Sequence, residues 1–377
     1  MKHKLITGIA IILITVGSLI WYFNYKGVDV LSPLGIGPKT NKIVKRDYKV
    51  FGFLPSWNVG KTVVYTNEID RLVFLGIESD ADGNLIWDTQ SKKIKSAVFV
   101  EQMAKIKKNG GKNILGVKLF DDDKIIELMA DESAKSNLIE QIKLTIMENN
   151  FDGVNIDIEY QGDPLAILGD EFYSFIQKLN ESGTEEISVD VFANTIIKGD
   201  KEKLNRLLGE IDDLIVMAYD FHRSGMDYSG AVAPIGSPVG ERNILEVVQK
   251  INEAELNRKK MTLAYPLYGY EWKTVTEEYG SRVNRGWIAM ASYKRMKELV
   301  NSPEFSNSNY KLNWDEVSMS PWISYVEDGE IHQIYFENLE SLKRKFKLAH
   351  DNQLGGIGFW ALGYEGENKD VWEELEK

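Results

Sequence analysis

Eight short runs rich in β-branched and aromatic residues recur along the chain: Lys49–Leu54, Arg71–Ile77, Asn113–Leu119, Gly153–Ile158, Ile187–Phe192, Leu214–Tyr219, Met261–Pro266 and Gly356–Ala361. Several are apolar on consecutive residues, as strands covered on both faces of a parallel sheet must be. Between them lie amphipathic stretches with helical spacing, among them Ala97–Asn109, Ser133–Asn149, Asp170–Ser182 and Asn243–Glu255, with Phe336–Gln353 before the last run. Strand alternating with helix predicts an α/β fold, and eight similar units suit a closed (β/α)8 TIM barrel better than a doubly wound open sheet. The interval before the eighth run is far longer than one unit needs. Residues from about Tyr268 to Tyr335 hold short β-like pieces (SMSPWISYV, EIHQIYF) around a helical one (ASYKRMKELV). They predict a small α+β insertion between strands 7 and 8, on the face where barrels carry their sites.

The barrel accounts for residues 47–377, so the first 46 need another explanation. Lys2 and Lys4 precede Leu5–Phe23, a run without charge. As a helix such a run spans about 28 Å, close to the hydrocarbon thickness of a bilayer. Trp21, Tyr22 and Tyr25 stand where an interfacial aromatic belt would lie. Residues 1–26 are therefore expected to be a transmembrane signal anchor, with the lysines in the cytoplasm and the remainder of this single-pass protein outside it. A cleaved signal peptide with secretion is the alternative, although no small-residue cleavage site follows the run. Residues 27–46, with Gly, Pro, Asn and Lys and little periodicity, read as a linker.

Composition narrows the chemistry. The net charge of −12 argues against a phosphate backbone as partner, and against acidic polymers unless a cleft compensates locally. There is no cysteine, which excludes disulfides, thiolate metal sites and a cysteine nucleophile. The four histidines are dispersed without metal-ligand spacing, so neither a metal nor a cofactor is expected.

The strongest local signal is Phe151-Asp152-Gly153-Val154-Asn155-Ile156-Asp157-Ile158-Glu159-Tyr160 on the fourth predicted strand. Alternate residues of a strand share a face, so Asn155, Asp157 and Glu159 point into the barrel while Val154, Ile156 and Ile158 meet the helices. Three polar groups stacked inside a barrel are costly unless they bond one another or a ligand. A carboxylate neighbour and partial desolvation raise the pKa of Glu159, giving it a proton to donate near neutral pH.

The run resembles the Asp-Gly-x-Asp-x-Asp-x-Glu signature of glycoside hydrolase family 18. Further segments match in order. Met217-Ala218-Tyr219-Asp220-Phe221-His222 is similar to the family's Met-x-Tyr-Asp segment on the sixth strand, and Ala264-Tyr265-Pro266-Leu267-Tyr268-Gly269-Tyr270-Glu271-Trp272 to its seventh-strand segment. Gly355-Gly356-Ile357-Gly358-Phe359-Trp360 resembles its last strand, ending in the tryptophan that floors the cleft. The long insertion before that strand is also a family feature.

The resemblance implies a hydrolase that cleaves β-1,4 bonds of N-acetylglucosamine-containing glycans with retention, assisted by the substrate. Glu159 would protonate the leaving oxygen and later activate water. The substrate's 2-acetamido carbonyl would attack the anomeric carbon, giving an oxazolinium ion. Asp157 would orient the acetamide N–H, and Tyr219 would donate to the acetamide oxygen. Asp220 and Met217 would line the same subsite, Trp360 would lie beneath the sugar, and Asn155 and Tyr268 would complete the substrate contacts. Tyr270 is a further outer-cleft residue, and His222 supports the loop. The enzyme is expected to act as a monomer.

Two departures bear on substrate. Asn155 replaces the first aspartate of the triplet, which should relieve Asp157 of a like-charged neighbour and let it ionise more easily. Ile114-Leu115-Gly116-Val117-Lys118-Leu119-Phe120 lacks the Ser-x-Gly-Gly pattern of typical chitinases. Both place the chain nearer the spore-germination and cell-wall branch. Chitin oligosaccharides, peptidoglycan and N-glycans stay open as substrates. So does a binding protein on the same fold that no longer cleaves, although such relatives usually lose the glutamate retained here. A surface module whose insertion meets a partner is a third reading.

Overall fold

The computed structural model describes residues 46–161, 169–307 and 309–375. The expected anchor (residues 1–26) and the expected linker (27–46), except for Arg46, lie outside them. Among the described residues no helix is long and apolar enough to cross a membrane.

The eight expected strands form one closed parallel barrel: β1 (Lys49–Pro55), β2 (Arg71–Ser79), β4 (Lys112–Leu119), β5 (Gly153–Ile158), β6 (Ile187–Phe192), β7 (Asp213–Met217), β8 (Met261–Pro266) and β14 (Gly356–Trp360). The ring closes because β1 pairs with both β2 and β14, at Phe53↔Val73 and Phe51↔Gly358 among others. A short strand, β3 (Leu85–Ile86), folds back antiparallel on β2. Side-chain oxygens fix where several helices start, since a helix N-terminus has free N–H groups. Ser96 accepts from Phe99 N ahead of helix Ala97–Lys108, Asp131 from Ser133 N and Ala134 N ahead of Glu132–Asn149, and Asn243 from Glu246 N ahead of Ile244–Glu253.

Strand alternation divides the core. Val154, Ile156 and Ile158 join the large apolar layer between barrel and helices. The interior is filled by a smaller set, Phe51, Phe53, Val73, Ile114, Ile215 and Ala264, against which Tyr219 and Trp360 pack. These side chains plug the barrel, so its polar inward residues are left at the C-terminal end.

Between β8 and β14 stands the insertion, a five-stranded antiparallel sheet in the order β10 (Val283–Ser292), β9 (Tyr268–Thr274), β13 (Glu330–Tyr335), β12 (Ser320–Glu327), β11 (Lys311–Asp315). Only Leu267 separates β8 from β9, so barrel and insertion are continuous. Helix Tyr293–Val300 supplies Met296 to a cluster with Ile323, Tyr325 and Ile334, while Trp272, Trp322 and Tyr335 form a second cluster. β9 approaches β13 so closely at Gly269 that a Cβ there would lie 1.9 Å from the Tyr335 carbonyl oxygen.

Candidate active site

A cleft of about 940 Å³ opens at the C-terminal ends of the strands. Glu159, Asp157, Tyr219, Asp220, Met217, Trp360 and Tyr268, brought from the ends of β5, β7, β8 and β14, all line it. Glu159 sits one residue beyond β5, tied by its backbone N–H to the Leu119 carbonyl (3.0 Å). Its side chain is partly exposed, whereas Asp157 is 4% exposed beneath it.

The carboxyl of Glu159 is pushed up to about 7. Burial is the main cause; the Asp220 carboxylate adds to it, and Arg223 and Lys118 oppose it. This refines the expectation that a neighbouring carboxylate comes first: removal from water outweighs the like charge, and that charge comes from the end of β7. At neutral pH a large share of Glu159 therefore carries its proton.

Asp220 adopts a left-handed backbone conformation (φ 58°), which a non-glycine residue rarely takes. Two tyrosine hydroxyls hold its Oδ1, Tyr268 at 2.6 Å and Tyr270 at 3.2 Å. Tyr219 lies edge-on to Tyr268, with centroids 6.3 Å apart. Tyr270 thus buttresses Asp220, whereas Tyr268 both buttresses it and reaches the cleft wall. His222 Nδ1 bonds the Ala231 carbonyl (3.0 Å), and Gly230 lies so close that a Cβ there would be 2.5 Å from the imidazole. His222 therefore supports the loop after β7.

Asn155 stands apart from the expected cleft contacts. It is fully buried, and its amide donates to Asp190 Oδ1 (2.8 Å) and Ser188 Oγ (3.1 Å), both on β6. It stands behind Asp157 instead of on the cleft wall. The expectation that asparagine relieves Asp157 of like charge is also overturned. Burial first, then Asp190, then Glu159 drive the Asp157 carboxyl well above its ordinary range, against the opposing Lys118. The carboxylate absent at position 155 has a counterpart on the neighbouring strand.

Sequence reading also missed several cleft residues. Trp57, just past β1, meets Trp360 edge-on at 6.4 Å, and Phe53 meets Trp360 at 6.2 Å. Phe120, just past β4, is exposed to the cleft beneath the Lys118 ammonium, which lies 4.9 Å from its ring centroid. Apolar rings half-exposed in such a cleft suit the C–H faces of a sugar. Asp190 was legible in principle, because Ser188 and Asp190 alternate with Ile187, Val189 and Val191 as inward polar positions. Trp57 and Phe120 leave no such signal, since they follow their strands and only the ring of strand ends brings them together.

The family model described as "Glycosyl hydrolases family 18" matches residues 49–365. The chain is 24% identical over 263 residues to "Probable di-N-acetylchitobiase 1" of Dictyostelium discoideum, spanning 63% of this chain and 69% of that protein. It is 26% identical over 250 residues to "Cortical fragment-lytic enzyme" of Bacillus subtilis (strain 168), spanning 65% of this chain and 54% of that one. The fold matches the Bacillus cereus spore cortex-lytic enzyme SleL with a TM-score of 0.69 at 18% identity, covering 88% of this chain and 74% of the other. It matches a Cycas revoluta chitinase in complex with (GlcNAc)3 with a TM-score of 0.74 at 16% identity, covering 87% and 98%. With most of the barrel matched from β1 to beyond β14, and a half-buried glutamic acid at the end of β5, the chain belongs to glycosyl hydrolases family 18 and is a glycoside hydrolase.

Proposed function

We propose that the chain cleaves β-1,4 bonds after an N-acetylglucosamine-type sugar by substrate-assisted retaining catalysis, with Glu159 as the acid. One observation carries this reading: Glu159, its carboxyl raised to about 7, shares a single cleft with Asp157, Tyr219 and Asp220. The acid protonates the leaving oxygen, and the substrate's acetamide oxygen takes the role of a second enzymic carboxylate. Asp157 accepts the acetamide N–H and faces the positive charge of the oxazolinium ion. The Tyr219 hydroxyl, whose pKa burial drives well up, keeps its proton and donates a hydrogen bond to the acetamide oxygen. Glu159, now ionised, then draws a proton from water as the ring reopens. Met217 and Trp360 bound the sugar site, with Trp57 and Phe120 extending it along the cleft.

Among the possible glycans the cleft favours one bearing carboxylates, such as the lactyl and peptide groups of peptidoglycan. Lys198 and Arg223 line it, are exposed, and form no ion pair among the described residues. In a chain of net charge −12 such cations supply the local compensation an acidic polymer needs. The relatives that act on spore cortex agree with this choice. The uncharged run Leu5–Phe23, preceded by Lys2 and Lys4, supports an enzyme tethered to the cell membrane with its barrel outside the cytoplasm.

The full chain, in detergent, is assayed on peptidoglycan, chitooligosaccharide and N-glycan. Reducing ends released from peptidoglycan with the largest kcat/KM, and lost in Glu159→Gln, support the proposal. Tight binding without product, unchanged by Glu159→Gln, would mean a glycan-binding protein instead.

A further inference from the structure

Behind the acid lies a buried carboxyl that the mechanism above does not use. Asp190 sits on β6, one residue past the last β5–β6 register pair, Ile156↔Val189, and Asp157 sits one residue past it on β5. The two carboxyls therefore emerge on neighbouring strands at the same level of the barrel. Asp190 is 8% exposed and Asp157 4%, so little water screens them. Asn155 points its amide at Asp190 Oδ1, and one Asp157 oxygen is buried without a hydrogen bond.

The groups facing the pair come from every adjoining element. Lys118 on β4 lies in register with Asp157, Glu159 follows on the same strand, Ser188 and Asn155 stand below, and Tyr219 comes from beyond β7. A single, part-exposed ammonium cannot offset two buried carboxylates and Glu159. Burial, with Glu159 adding and Asn155 opposing, pushes Asp190 up to about 8. Two buried carboxyls this close do not both ionise near neutrality, and their protons belong to the pair.

We propose that Asp190 is a positioning residue for Asp157: the two carboxyls hold one proton between them, and the Asn155 amide fixes which way Asp190 faces. This rests on the role assigned to Asp157 above. In the free enzyme the Asn155 N–H stabilises Asp190 as the anion, so the proton rests on Asp157. When the acetamide N–H arrives, the Asp157 O–H bond breaks and an O–H bond to Asp190 forms. The pair keeps its single negative charge, which moves onto Asp157, where the oxazolinium cation will develop. Asp190, at the cleft lining, acts through Asp157.

The test swaps the two groups between strands. The full chain is assayed as wild type, Asp190→Asn, Asn155→Asp, and the double variant Asn155→Asp with Asp190→Asn, recording kcat and KM against pH on a glycan that wild type cleaves. Asp190→Asn should lower kcat at least tenfold, change KM less than threefold, and move the acid limb to lower pH as Asp157 loses its like-charged neighbour. The double variant keeps both side-chain sizes and an amide-to-carboxylate hydrogen bond, and should return kcat to within threefold of wild type with the acid limb restored. Asn155→Asp alone adds a third carboxyl and should move the acid limb up. This arm decides the matter if Asp190→Asn does not fold. A purely structural role would leave the acid limb where it is. Wild-type kcat and acid limb in Asp190→Asn, a double variant no better than the single one, or an acid limb unmoved in Asn155→Asp overturns the proposal. Loss of activity in Glu159→Gln beside any of these results leaves the acid's role intact, whereas indifference to Glu159→Gln overturns that role itself.

Discussion

The raised pKa of Glu159 makes a quantitative prediction about rate and pH. At pH 6 an ordinary glutamic acid is about 3% protonated, whereas a group with a pKa of about 7 is about 90% protonated. The acid form is thus about thirtyfold more abundant than it would be in water, by the same titration arithmetic. The alkaline limb of kcat/KM, which reports the free enzyme, should bend near pH 7 and fall about tenfold per pH unit above it. Two substitutions should move that bend in opposite directions. Asp220→Asn removes the carboxylate that raises Glu159 and should shift the bend down. Arg223→Gln removes a cation that lowers it and should shift the bend up. Each shift is expected at about half to one pH unit, or about 1 kcal/mol. Initial rates between pH 4 and pH 9 at constant ionic strength measure it. Glu159→Gln should cost about 10²–10⁴ in rate, equivalent to about 3–5 kcal/mol. A profile flat through pH 7, two variants moving the bend the same way, or a Glu159→Gln enzyme keeping a tenth of its activity would refute the reasoning.

Other consequences follow from the same geometry. Tyr219→Phe should lower kcat about a hundredfold with KM little changed, because the donated hydrogen bond strengthens as charge develops on the acetamide; steady-state kinetics measure it. If Trp360 floors the sugar next to the acid, as proposed, Trp57→Ala should raise KM for long glycans more than for a disaccharide and Trp360→Ala should raise it for both; a chain-length series separates them. Lys345, on the helix Leu339–Asp351, and Glu337, two residues before it, are both buried and form an ion pair at 2.8 Å. Lys345→Met strands a buried carboxyl and should cost about 3–5 kcal/mol in urea unfolding, and a loss below 1 kcal/mol would show that the site relaxes. Stability should also fall as pH rises. The buried Asp157–Asp190 pair, and Glu365 at about 7, bind protons more tightly folded than unfolded. Their contribution is therefore full below about pH 4 and lost as pH climbs through 7–8. The thermal midpoint should drop between pH 5 and pH 9, and Glu365→Gln should flatten the drop.

The sequence carried the barrel because its signal is local and repeated. Buried parallel strands must be apolar on both faces, and their helices amphipathic, so eight such units are readable one at a time. The insertion was legible for the same reason, through an interval too long for one unit. Shorter elements were not, among them the helix Ala193–Lys198, whose pattern is too brief to stand out. The same holds for the site. Alternation on β5 was enough to aim Asp157 and Glu159 inward, and the Met-x-Tyr-Asp segment marked the end of β7. Alternation could not say how deep each inward residue lies. Asn155, two positions before Asp157, shares its face yet is fully buried, its amide bonded to Ser188 and Asp190 on the next strand.

What the sequence by itself determined was the set of strand ends and the acid on one of them, since periodicity is a property of consecutive residues. The tertiary structure alone decided who stands beside that acid. Asp220 raises Glu159 from the end of β7, Asp190 faces Asp157 from β6, and Trp57 and Phe120 reach the cleft from β1 and β4. Electrostatic energy depends on distance through space and on exclusion of water, and both are set by closing the ring.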